Sequence, residues 1–169
     1  MTYGIRLARH DDFASFGAIE SAAGALFVEA GLPEIASHDP TDLEFIQAAS
    51  RAGAVFVAAH DDTPVGFILA APLGRDIHIY ELSVAPTHGR KGLGRKLVEA
   101  VCAWSRDMGF EAVTLSTFAD LPWNGPFYAS CGFDVIDRDD WTPALLLVRY
   151  REDDIGLPLE RRCFMSRTL

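Results

Sequence analysis

The stretch APTHGRKGLGRKL, Ala85 to Leu97, sets Arg90, Lys91, Arg95 and Lys96 around Gly89, Gly92 and Gly94 in a chain whose formal net charge is −9. A β-branched and aromatic segment runs into it, and a long amphipathic segment runs out. It therefore reads as a glycine turn joining a strand to a helix. Such a junction binds anions: the first amides of a helix lack acceptors, the macrodipole favours negative charge, and glycine lets the anion approach the backbone. Spacing then discriminates among phosphate ligands. A nucleoside-triphosphate loop needs GxxxxGK followed by Ser or Thr; Gly89 to Gly94 has that span, but Arg95, Lys96 and Leu97 follow and offer magnesium no hydroxyl. A dinucleotide GxGxxG needs a third glycine where Leu97 stands, and it follows the first strand of a parallel unit.

What precedes the turn is instead a meander. AVFVAAH (54–60), VGFILAAPL (65–73) and IHIYELSVAP (77–86) are three strands joined by short breaks, which predicts antiparallel pairing. Before them, YGIRLA (3–8) reads as a strand and DDFASFGAIESAAGALFVEAG (11–31) as a helix. LPEIASHDP (32–40) reads as a loop at the rim of a site, and TDLEFIQAASRAG (41–53) as a helix opened by Thr41 or Asp42. After the turn, Leu93, Leu97, Val98, Val101, Cys102 and Trp104 share one helical stripe within residues 92–110. EAVTLSTF (111–118) is a strand, NGPFYASCG (124–132) a short helix with Asn124 at its cap, and FDVID (133–137) a strand. TPALLLVRYREDDIG (142–156) is a helix capped by Thr142, and RRCFMSRTL (161–169) a closing strand. Neither repeat nor linker divides the sequence, so a single domain over 1–169 is expected.

With 49% apolar residues and eleven Phe, the 169-residue chain can bury a substantial core. Its acidity argues against nucleic acid or an anionic membrane as partner, because like charge repels phosphate at long range. Cys102, Cys131 and Cys163 are odd in number and widely spaced, which favours neither disulfides nor a zinc site, and the histidines lack metal-ligand spacing, so no metal is expected. No run of about 18 apolar residues is present and the first residues lack a signal-peptide pattern; a cytoplasmic location is expected.

The order of these pieces resembles the Gcn5-related N-acetyltransferase (GNAT) superfamily, in which a strand ending L-x-V-x-P runs into Gln/Arg-x-x-Gly-x-Gly/Ala and a long helix. Here the matching residues are ELSVAPTHGRKGLGRKL, followed later by TLSTF and FYASCGF. The family's Gln/Arg position falls on Gly89, and an Asn often found seven residues before the Tyr is Leu121 here, with Asn124 nearer. The resemblance implies an α/β fold: a mixed, mostly antiparallel sheet splayed at its centre, with helices on both faces. It also implies acetyl-CoA as co-substrate and an amine of a small molecule or peptide as acceptor, with a homodimer as a further expectation. The cofactor-binding residues it implies are Leu82, Ser83 and Val84 along the pantetheine arm. Gly89, Arg90, Lys91, Gly92, Leu93, Gly94 and Arg95 would surround the phosphates, with Asn124 and Phe127 beyond. The backbone amide at Gly89 is expected to be a phosphate donor.

Two residues carry the expected chemistry. A carboxylate within IHIYELSV must find a cation or face the cleft, so Glu81 either pairs with an arginine such as Arg75 or Arg6, or takes a proton from the acceptor amine, directly or through water. His78 is the reserve base, with alternation placing it and Tyr80 opposite Glu81. Tyr128, which matches the family's F-Y-x-x-x-G-F, is the expected proton donor to the departing thiolate, and an amide of Leu82 or Val84 the expected oxyanion donor. Phe118, Trp123 and Tyr80 are candidate walls of an acceptor pocket, and His38 is a turn residue or a substrate contact. With no cysteine in a nucleophile setting, direct transfer in a ternary complex is expected. The rival reading is a non-catalytic acyl-CoA-binding or sensory module of the same fold.

Overall fold

The computed structural model describes residues 2–169. Its strands are β1 (Tyr3–Leu7), β2 (Ala54–His60), β3 (Thr63–Leu73), β4 (Asp76–Val84), β5 (Ala112–Phe118), β6 (Asp134–Val135) and β7 (Arg162–Thr168). The helices are α1 (Phe16–Ala23), α2 (Ala25–Glu29), α3 (Pro33–Ala36), α4 (Leu43–Ala52), α5 (Leu93–Asp107), α6 (Gly125–Ser130) and α7 (Pro143–Asp154). Among the described residues the strands form one sheet in the order β1-β2-β3-β4-β5-β7-β6. β1–β2 and β2–β3 are antiparallel, as are β5–β7 and β6–β7, whereas β4 and β5 run parallel. The parallel register comprises Ile77↔Val113, His78↔Thr114 and Ile79↔Leu115, and β4 runs on from Tyr80 to Val84 past its last pair. This is the mixed, mostly antiparallel sheet that the resemblance implies, with helices on both faces.

The chain groups into two compact units, one made of residues up to Ala71 together with Tyr80–Trp104, the other of Pro72–Ile79 with Ser105–Leu169. In the first, β2 and β3 alternate cleanly. Val55, Val57, Phe67 and Leu69 pack with Phe13, Phe16, Ile19, Ile46 and Ala49 of the early helical segments, Phe16 stacking on Phe67 at 4.1 Å. Ala54, Ala58, Ile68 and Ala70, equally buried, look the other way. The stripe of α5 is buried through Leu93, Leu97, Val98, Val101 and Cys102, whereas Trp104, read into the same stripe, is only half-buried. The β2–β3 hairpin turns on Asp61 and Asp62, both in the left-handed region at φ 48° and 70°, which aspartate tolerates better than most residues. Gly66 lets β3 approach β4, since a Cβ there would lie 3.0 Å from the Ser83 carbonyl oxygen. In the second unit, Trp141 packs edge-on against Phe164 at 4.9 Å, and Thr142 caps α7 by accepting from the Leu145 amide at 3.2 Å.

Three elements differ from expectation. The helix expected over 11–31 is a 3₁₀ turn, His10–Ser15, followed by α1 and α2, which are separated at Gly24. Arg6 and the Arg9 amide grip Asp12 and wind the first turn tightly. α3 lies against this junction, a Cβ at Gly24 standing in ordinary contact with Ala36 Cα at 3.5 Å. The expected loop 32–40 contains α3, started by Pro33, whose fixed φ suits a first helical position. Of the two cap candidates for α4, Asp42 accepts from Glu44 and Phe45 at 2.8 and 3.3 Å, while Thr41 bonds Glu20 instead. The strand expected over 133–137 is the two-residue β6, cut short by the turn Arg138–Asp140; a short edge limits pairing with other chains.

Candidate active site

β4 leads into the glycine turn through a 3₁₀ turn, Pro86–His88. The Gly89 amide donates to the Pro86 carbonyl at 3.1 Å. This corrects the expectation that Gly89 offers its amide to a phosphate: the turn consumes it. The open donors begin one residue later. Among the described residues, Arg90, Lys91, Gly92, Leu93 and Gly94 donate to no backbone acceptor, and α5 proper starts with Lys96 donating to the Gly92 carbonyl at 3.1 Å. Arg90 and Gly92 both have positive φ, 59° and 71°. Glycine accepts that region freely, whereas arginine pays about 1–2 kcal/mol for it. Left-handed residues interleaved with ordinary ones turn successive amides toward one concavity, a geometry suited to an anion. A Cβ at Gly92 would meet no atom within 4 Å, so the space over the turn is open. Arg90, Lys91, Arg95 and Lys96 all reach solvent. The donors and cations fit a diphosphate, the group that CoA would bring to this turn. Among the described residues no cluster of His, Cys, Asp or Glu could hold a metal ion.

On β4, the Ser83 hydroxyl donates to Glu81 Oε1 at 2.7 Å, so residues 81 and 83 share one face. Tyr80 packs against the core cluster of the first unit and meets Phe45 edge-on at 5.0 Å, on the face opposite Glu81. Neither arginine offered as a partner for Glu81 is engaged with it. Arg6 binds Asp12 at 2.7 Å and Asp62 at 3.2 Å, and holds the Asp12 carboxyl below its ordinary range. Arg75 meets Glu111 at 3.5 Å in solvent. Leu82 and Val84 are half-buried and Ser83 is buried.

His78 is only 2% exposed, and its Nδ1 lies 2.8 Å from the Thr114 hydroxyl. Burial, with a smaller contribution from the Arg162 charge, pushes its pKa down to about 4. It is a neutral core histidine, which weighs against the reserve-base reading.

In the second unit, α6 carries Phe127 and Tyr128, with Asn124 just before it. Asn124 holds the cap position but its side chain makes no capping bond; its Oδ1 accepts from the Thr117 hydroxyl at 2.6 Å. The expected cap bond is therefore not made; the side chain is tied to β5 instead. The Tyr128 amide donates to the Asn124 carbonyl at 2.9 Å. Tyr128 is 9% exposed and meets Phe127 and Phe133 edge-on at 5.1 and 5.9 Å. Gly125 cannot be replaced without cost, because a Cβ there would lie 2.6 Å from the Ala119 carbonyl oxygen. Phe118, a candidate pocket wall, is instead buried under Arg162, whose guanidinium lies 4.8 Å from its ring. His38 is exposed in the loop before α4.

Sequence reasoning missed two polar arrangements. Glu152 of α7 receives Arg162 at 2.7 Å and the Ser116 hydroxyl at 2.5 Å, both on Oε1. Glu152 Oε2 and Arg162 Nε are buried without a partner. In the first unit, Tyr3 contacts His60, His88 and Lys91. Neither set had a local signal, since each joins residues far apart in the chain.

The strand, turn and helix 82–97 and the helix with Tyr128 both belong to a stretch that matches a known family. The profile of the Acetyltransferase (GNAT) family matches residues 25–133. Among solved structures, PaiA N-acetyltransferase from Thermoplasma acidophilum, determined with coenzyme A, is 16% identical with TM-score 0.69 over 100% of both chains. A GNAT acetyltransferase from Brucella melitensis, determined with acetyl-CoA, is 25% identical with TM-score 0.58 over 79% of this chain and 83% of its own. N-acetylglutamate synthase from Neisseria gonorrhoeae, determined with coenzyme A and N-acetyl-glutamate, is 18% identical with TM-score 0.71; it matches 100% of this chain, which spans only 35% of that protein. A profile match running from α2 through the glycine turn to Phe133, on a sheet of this order, places the chain in the GNAT acetyltransferase family.

Proposed function

We propose that the protein transfers an acetyl group from acetyl-CoA to a primary amine, with cationic small molecules favoured as acceptors by the net charge of −9, by direct attack in a ternary complex. Acetyl-CoA, when bound, supplies the activated acyl group and a thiolate leaving group. The observation that carries the reading is the run of amides over Arg90–Gly94 without backbone acceptors, bent by positive φ at Arg90 and Gly92 and bordered by exposed cations. Gly89 serves conformationally, its amide being held within the turn.

Glu81 is the base. A primary amine has a pKa near 10.4 and arrives protonated, so a carboxylate acting directly or through water must free its lone pair. The Ser83 hydroxyl, donating to Glu81 Oε1, orients the carboxyl. An amide of Leu82 or Val84 donates to the charge developing on the carbonyl oxygen. Tyr128 gives its phenolic proton to the departing sulfur; its ring is fixed between Phe127 and Phe133.

The test is release of CoA thiol from acetyl-CoA against a panel of polyamines, amino sugars and N-terminal peptides. Glu81→Gln and Tyr128→Phe are each expected to lower kcat by about 10²-fold or more while leaving acetyl-CoA affinity, read by calorimetry, within about threefold. Full turnover in Glu81→Gln at every pH removes the base. Acetyl-CoA binding without turnover on any amine in the wild type favours the non-catalytic acyl-CoA module, and thermal shifts with propionyl- and succinyl-CoA rank other acyl donors.

A further inference from the structure

We propose that Tyr3, on β1, is a positioning residue for the anion-binding turn, fixing His88 and Lys91 on either side of the bend before the phosphates of CoA arrive. The inference rests on the reading of Arg90–Gly94 as a diphosphate cradle. Tyr3 stands directly across from His60 in the β1–β2 register, and the two rings stack at 4.5 Å and 23°. Its hydroxyl lies 2.9 Å from His88 Nδ1, and the rings meet edge-on at 5.8 Å. The Lys91 ammonium sits over the same ring, 5.6 Å from its centroid. His60 and His88 are themselves 5.5 Å apart, so one aromatic group of three side chains backs the turn.

The placement of these contacts is what gives Tyr3 its role. His88 ends the 3₁₀ turn and Lys91 lies just past Arg90, the left-handed residue at φ 59°. One ring therefore holds a side chain on each side of the strained bend. An exposed lysine otherwise explores many rotamers, and ordering it on binding costs affinity. Held over the tyrosine face, the ammonium of a residue in the open-amide run is already localised before an anion binds. The hydroxyl bond to His88 holds the other flank, where the Gly89 amide is committed to the Pro86 carbonyl. Nothing about residue 3 in the sequence points to the turn, because the two are 85 residues apart.

The test is calorimetric titration of the full chain with CoA, at several KCl concentrations. Tyr3→Leu is expected to weaken CoA binding by about threefold to tenfold, the affinity set by ordering one long side chain. It should also flatten the salt dependence to that of Lys91→Met, because the charge is no longer delivered. Tyr3→Phe keeps the ring and is expected to keep the wild-type salt dependence. In a Lys91→Met background, Tyr3→Leu should cost no more than Tyr3→Phe does alone. Unchanged CoA affinity in Tyr3→Leu, or a loss that adds fully to that of Lys91→Met with the salt dependence intact, overturns the proposal. Should Tyr3→Leu fail to fold, Tyr3→Phe and His88→Gln take its place: non-additive losses of CoA affinity support the proposal and additive ones overturn it. The cradle reading has its own control in Gly92→Val. If wild type gives no heat with CoA, or Gly92→Val binds CoA normally, the cradle itself is refuted and the role of Tyr3 with it. If Gly92→Val loses binding while Tyr3→Leu does not, only the positioning role falls.

Discussion

Replacing His78 with Gln should remove a defined pH dependence from the folding equilibrium. In the native protein the imidazole is 2% exposed and its pKa lies at about 4, against an ordinary value of 6.5. Between those values the unfolded chain carries a proton on this residue and the folded chain does not. The free energy of unfolding therefore rises with pH across the window. The contribution is fully present above pH 6.5 and is lost progressively on acidification toward pH 4. Each unit is worth about 1.4 kcal/mol, so the loss reaches about 2 kcal/mol at pH 5 and about 3 kcal/mol over the whole window. Other groups titrate nearby. Asp12 and Asp62, held low by arginines, add acid sensitivity below the ordinary carboxylate range, whereas Glu20 and Asp76, raised by burial, act in the opposite sense. Subtracting the His78→Gln curve cancels them. Urea unfolding of both proteins from pH 4.5 to 7.5 is the assay, and any packing defect in the variant enters as a constant offset. The expected result is a gap that changes by about 2 kcal/mol between pH 7 and pH 5, with wild type losing more. Parallel curves, or a His78 ring resonance that titrates near 6.5, would refute the assignment of a buried neutral imidazole.

The remaining predictions concern the second unit. Gly125→Ala forces a Cβ to within 2.6 Å of the Ala119 carbonyl oxygen, which should destabilise the fold by about 1–3 kcal/mol by thermal unfolding and lower kcat more than acetyl-CoA affinity, because α6 carries Tyr128. Glu152→Met, which strands the 12%-exposed Arg162, or Arg162→Leu, which strands the 8%-exposed Glu152, should each cost about 3–5 kcal/mol in urea, while the double substitution should restore most of that loss. Equal costs for the double and the summed singles would show that the two charges do not compensate each other.

The features that could be read from the sequence are those whose physical cause lies within a few residues. The stripe of α5, the cap at Thr142 and the meander before the turn each follow from local periodicity or a local hydrogen bond, and the glycine turn follows from its spacing. Gly89 shows how narrow that range is. Its amide looked open until the carbonyl three residues earlier accepted it, and no composition or spacing distinguishes a 3₁₀ turn at Pro86–His88 from an extended entry. The same applies to α7. Leu145, Leu146, Leu147, Val148 and Tyr150 are apolar on all sides, so periodicity does not choose its inward face. The structure buries Leu145 and Glu152, two turns apart, because Ser116 and Arg162 offer the carboxylate partners that no neighbouring residue could.

The arginines offered to Glu81 expose the underlying reason. Arg6 could be matched to any carboxylate by charge alone, and charge does not rank them. Asp12 wins because it lies six residues away and is already bound by the Arg9 amide at 2.6 Å, so little chain entropy is spent in bringing the pair together and the carboxylate's second oxygen is used. A distant carboxylate becomes a partner only when sheet register delivers it, and register is fixed by the packing of all the strands at once. Residue type therefore narrows the chemistry of a site, whereas the partner of each charged group is decided by the fold. Glu81 has Ser83 donating to it from the same face of β4, a neighbour that strand alternation supplies.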